Sequence, residues 1–134
     1  MEKNLITEDY VSFETALLLK EKGFNVPVRT FYNPKYRGEK VSDGTALINY
    51  NADPEDGNVL CSAPTLQMAL KWLREKCELI IEIDYNNDIE CDENERWGFS
   101  WYLRPHYEVN LNTYATNEEA TEAAIKYCLT NLTI

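Results

Sequence analysis

Two stretches of alternating apolar residues restrict the fold more than any other feature. Leu79, Ile81, Ile83 and Tyr85 share one parity, and so do Trp97, Phe99, Trp101 and Leu103. Successive side chains of a strand point to opposite faces, so this period-2 spacing makes two half-buried strands, each with one greasy side. Tyr107, Val109 and Leu111 repeat the spacing, and Pro105 marks the bend before them. The expected product is a three-stranded antiparallel meander whose apolar face is covered by helices.

The covering helices are readable from their starts and stripes. Ser12 caps a helix through Phe13, Ala16, Leu17 and Lys20, which Gly23 ends with a left-handed residue and Phe24 seals. Ser62, Pro64 and Thr65 open a second helix, with Ser62 as its cap and Leu66, Ala69, Leu70 and Leu73 as its inner stripe, flanked by Met68 and Trp72. Thr116 and Glu119 form a capping box for a third, whose Ala120, Ala124, Tyr127, Cys128 and Leu132 suit close packing on a sheet. Between the first two helices, Val26, Val28, Thr30 and Tyr32 read as a strand and Ala46 to Tyr50 as a second short apolar run. The segment 33–58, rich in Asn, Asp, Gly and Pro, is expected to contain a flexible loop. The fold class is therefore α+β: an antiparallel meander on about three helices, one domain over 1–134, with no repeat or composition break to mark a second.

Composition narrows the function classes. A chain of 134 residues with 44% hydrophobic and 27% charged residues can build its own core, and its apolar runs are too short to span a bilayer. The first residues lack the basic start and apolar stretch of a secretory leader, so the cytoplasm is the expected compartment. The four cysteines, Cys61, Cys77, Cys91 and Cys128, are widely spaced and read as free thiols, with Cys128 in the core. A net charge of −10 repels phosphate backbones and anionic lipids, which argues against nucleic acid or membrane as a ligand and suits either solubility or a basic protein partner.

The sharpest chemical candidate is the acidic turn. Asp84, Asn86, Asp88, Glu90, Asp92 and Glu95 fall at the ligand positions of a calcium loop, and hard oxygens at that spacing suit a hard cation. Ile89 stands where such a loop needs glycine, and the flanks read as strands, so the competing account is a solvated hairpin connection. His106, beside Arg104 and among Tyr102 and Tyr107, could serve an acid/base pocket, although a lone histidine is more simply a bend residue. Arg29, Lys35, Arg37 and Lys40, interleaved with Phe31, Tyr32 and Tyr36, have the composition of a single-strand binding surface, set against a repulsive overall charge. The five glycines form no phosphate-binding motif, there is no C-x-x-C, and no cofactor is indicated.

Three stretches, 12–24, 62–76 and 113–127, together resemble the small uncharacterised phage and prophage proteins of gut Bacteroidetes. The resemblance covers nearly the whole chain and rests on helix starts and packing faces. It implies an accessory role and no catalytic residue.

The expectation is a non-enzymatic protein that binds another protein or itself. Three Trp, nine Tyr and four Phe exceed what a small core takes in, and exposed aromatics favour interfaces. Tyr32, Tyr36, Trp72, Tyr102 and Tyr107 are the candidate interaction surface. The alternatives are a small metal-dependent enzyme or ion-binding protein using the acidic turn 84–95, or the bend at His106, and a nucleic-acid mimic whose carboxylates copy phosphate spacing.

Overall fold

The computed structural model describes residues 6–33, 35, 40–52 and 60–134. Among them the order is α1 (Phe13–Glu21), β1 (Val28–Tyr32), β2 (Val41–Ile48), β3 (Cys61–Ser62), α2 (Leu66–Lys76), β4 (Leu79–Tyr85), β5 (Trp97–Leu103), β6 (His106–Tyr114) and α3 (Asn117–Asn131). The strands make two antiparallel sheets, ordered β2-β1-β3 and β4-β5-β6, and the class is α+β. No helix among the described residues is long and apolar enough to cross a membrane.

Side-chain oxygens start each helix. The Ser12 hydroxyl accepts from the Thr15 amide, and at the other end Gly23, at φ +92°, turns the chain where a β-carbon would be strained. The cap of α2 is Thr65, not Ser62: the Thr65 Oγ1 accepts from the Met68 amide at 3.1 Å. Ser62 instead lies on β3 opposite Phe31, with its amide bonded to Asn51 Oδ1. At α3 the capping box forms as expected, the Thr116 hydroxyl accepting from the Glu119 amide.

The β4-β5-β6 meander has its core side where the period-2 reading put it for the first two strands. Leu79, Phe99 and Trp101 are buried, and Ile81, Ile83 and Leu103 are half-buried against α2 and α3. The third strand is in the opposite phase. A tight turn at Arg104-Pro105 pairs Leu103 with His106 and Trp101 with Glu108, so Tyr107 and Val109 stand on the far side of the sheet, and Leu111 is 91% exposed. The core-side residues of β6 are thus His106, Glu108 and Asn110 before the bulge and Tyr114 after it, and Tyr107, Val109 and Leu111 are exposed.

The described part of the segment 33–58 contains a longer strand than the short apolar run 46–50 suggested. Val41–Ile48 pairs with β1 as a full strand, and Tyr50–Ala52 is a single helical turn, while 34, 36–39 and 53–59 lie outside the described residues. Side chains outweigh loop-like composition here, since Val41 packs on the core and Tyr50 is buried against Phe31. All three helices and strands of both sheets contribute to one core.

A link between chain ends closes the structure. Glu122, on α3, accepts from the Ser12 amide at 2.9 Å, from the Ser12 hydroxyl at 2.7 Å and from the Thr15 hydroxyl. The first turn of α1 is therefore capped by a carboxylate from the last helix as well as by its own serine. An exposed ion pair from Lys126 to Glu14, 2.7 Å, lies beside it.

All four cysteines are free. Burial pushes the Cys128 thiol up to about 12 and the Cys61 thiol up to about 11, the latter slightly relieved by Lys20. Alkylation at pH 8 should therefore leave both untouched in the folded protein, at rates roughly a hundredfold or more below those of an ordinary thiol. Mass mapping after iodoacetamide should show Cys91 modified first; equal labelling of Cys128 without denaturant would contradict the packing of α3.

Candidate functional site

The acidic turn joins β4 to β5 and spends its polar groups on itself. Asn86 Oδ1 accepts from the Asp88 amide, Asp88 Oδ1 from the Glu90 amide and Asp92 Oδ1 from the Asn94 amide, all between 2.8 and 2.9 Å. These are the side-chain turns that Asn and Asp make readily. Arg96 supplies the positive charge. Its guanidinium donates to the Asn86 and Asp88 carbonyls at 2.8 and 2.9 Å, bonds Glu93 at 2.9 Å and lies over the Tyr85 ring. Asp84 is on the strand, where it accepts a long 3.4 Å bond from Ser100. Among the described residues, no group of three or more His, Cys, Asp or Glu side chains converges to hold a metal ion. Five of the six candidate ligands, Asn86, Asp88, Glu90, Asp92 and Glu95, line one open depression of about 380 Å³, and Asp84 lies outside it.

The aromatic candidates divide. Tyr32 is buried, its hydroxyl donating to the Val11 carbonyl, and its ring meets Phe13 edge-on. Trp72 is 7% exposed and packs against Phe24 at 5.4 Å. Both belong not to a surface but to the core, where a large ring contributes most to burial. Tyr36 lies outside the described residues. Of the other aromatics in the basic stretch, Phe31 packs against Tyr50 and Tyr32 against Phe13.

Tyr102 and Tyr107 remain, and they stand together. Paired across β5 and β6 on the uncovered face, their rings stack with centroids 4.4 Å apart. The Tyr102 hydroxyl bonds Glu82 on β4 at 3.2 Å, and partial burial together with that carboxylate pushes it above the usual phenol range. Ile80 lies beside Tyr102, and Val109 beside Ser100, so the outer face reads Ile80, Tyr102, Tyr107 along one row and Glu82, Ser100, Val109 along the next.

At one end of this face the sheet meets the C-terminus of α2 and leaves a cleft of about 780 Å³. Its walls include Ile80, Leu103, Pro105 and the two tyrosines, its charged groups are Arg74, Glu78, Glu82 and Arg104, and His106 lies among them. His106, Arg104, Tyr102 and Tyr107 are thus brought together as their sequence proximity suggested. Arg74, Cys77 and Glu78 were not foreseen: they come from the end of α2 and reach the cleft only because β4 starts immediately after it. Glu78 turns the chain at φ +55°, a left-handed conformation that glycine takes at less cost.

No protein-family model, curated protein or solved structure matches this chain.

Proposed function

We propose that the chain is a non-enzymatic protein-binding module of the accessory kind, acting in the cytoplasm through the outer face of the β4-β5-β6 sheet. The observation that carries this reading is the inverted phase of β6. It puts Tyr107 and Val109, 54% and 49% exposed, beside Ile80 and Tyr102, 45% and 37% exposed, on a face that no described element covers. An apolar row on an otherwise charged surface is a recurring mark of an interaction site. The free edge of β6 adds unpaired backbone groups along the same side, although the bulge near Asn110, where Asn110 Oδ1 accepts from the Asn112 amide, interrupts it.

With a net charge of −10, the partner best suited is a protein with a basic rim around an apolar patch. A photo-crosslinking residue placed at position 109 should capture one discrete partner chain in cells, and the same residue at 118, exposed on α3, should not. Equal capture from both positions, or none from 109, would remove the reading.

A further inference from the structure

We infer that the cleft between the end of α2 and the β5-β6 turn binds a small planar molecule that carries an anionic group. The protein-binding reading concerns the open face; this site shares Ile80, Tyr102 and Tyr107 with it and adds Arg74, Glu78, Arg104 and His106, and its test turns on the two arginines, which that reading does not use.

The charge placement is the first argument. Only thirteen of 134 residues are Lys or Arg, yet two of them, Arg74 and Arg104, share this cleft with the single histidine. Among the described residues neither arginine makes an ion pair or a side-chain hydrogen bond. A guanidinium presents a flat fork of donors that matches the two oxygens of a carboxylate or phosphate. The acidic surface does not prevent this, because charges farther than about 8 Å are largely screened at physiological salt.

The walls give the second argument. Tyr102 and Tyr107 form a stacked pair at the cleft, with Ile80 as an apolar neighbour, which is the surface a flat ring prefers. The volume of about 780 Å³ lies in the ordinary range for small-molecule sites, apolar walls with a few convergent polar groups. Glu78 and Glu82 share the cleft, and Glu82 already accepts from Tyr102. Their carboxylates favour a ligand whose ring also bears N–H or O–H donors and reject one that is anionic at both ends.

Two sources offer this chemistry, nucleotides and aromatic carboxylic acids, and the test separates them. Amide NMR spectra of the full chain would be titrated with adenosine 5′-monophosphate, indole-3-acetate, adenosine and inorganic phosphate. Saturable shifts at Arg104, His106 and Tyr107 are expected with at least one of the first two, whichever source is real. Adenosine, lacking the anion, and phosphate, lacking the ring, should each bind about tenfold or more weakly than the better probe. The Arg74→Ala, Arg104→Ala double variant, with an otherwise unchanged spectrum, should lose binding by about tenfold or more. No saturable shift from either anionic aromatic up to about 10 mM, or undiminished binding by the double variant, would overturn the assignment.

Discussion

Phe99→Ala should lower the unfolding free energy by about 4 kcal/mol, measured as a shift of the urea midpoint at constant m-value. Phe99 is 1% exposed, and its ring lies 6.4 Å from Tyr114 and 5.9 Å from Tyr127 between centroids. It sits on the middle strand of its sheet, between Ile83 and Asn110, directly beneath α3. Neighbouring strands hold their spacing through the hydrogen-bond ladder, so the space left by the ring cannot close, and cavity cost adds to lost burial. Since a domain is stable by only about 5–15 kcal/mol in total, this loss removes a large share of it. Val109→Ala on the opposite face provides the contrast, with an expected change within about 0.5 kcal/mol. Similar costs at both positions would mean that the sheet is covered on the wrong side.

The second large effect belongs to Glu122. Replacing it with alanine takes the acceptor from two hydroxyls and one amide at the start of α1. Thr15 is 0% exposed, so water cannot readily replace the lost partner, and an unsatisfied buried donor costs about 1–3 kcal/mol. With the charge-assisted bonds to Ser12 included, the expected loss is about 3 kcal/mol. Glu122→Gln keeps an acceptor and should recover roughly half of it. A double-mutant cycle with Thr15→Val gives the decisive measurement, because the two losses should be strongly non-additive. Additive losses would show that the carboxylate acts on the surface and not as the cap of α1.

The strands β4 and β5 were legible because burial acts on one side of each and so writes itself into alternate residues. The helix starts were legible for a related reason: capping uses short polar side chains at fixed offsets, as at Ser12 and Thr116. Failures arose where the deciding contact is distant in sequence. Alternation at Tyr107, Val109 and Leu111 announces a strand but not which way it faces; the turn at 104–105 sets that by pairing Leu103 with His106. Ser62 and Thr65 are equally good caps in isolation. The choice falls to Thr65 because Asp9 accepts from the Leu66 amide and Tyr10 bridges to Thr65, drawing the helix start to that point.

The site followed the same logic. Counting aromatic residues could not say that Tyr32 and Trp72 face inward while Tyr102 and Tyr107 face out. Spacing alone placed hard oxygens along the acidic turn; it did not show that Arg96, immediately beyond the template, donates to the Asn86 and Asp88 carbonyls. The cleft joins 74–78 to 102–107, two segments that nothing in the sequence relates until the register of β4 against β5 is known.

The carboxylate that secures the opening helix is 110 positions downstream of Ser12. A chain emerging from a ribosome therefore makes its first helical segment long before it makes the group that fastens it. Until α3 is made, α1 lacks that acceptor, and so distant a contact can form only late, after the entropy of closing the intervening chain has been met.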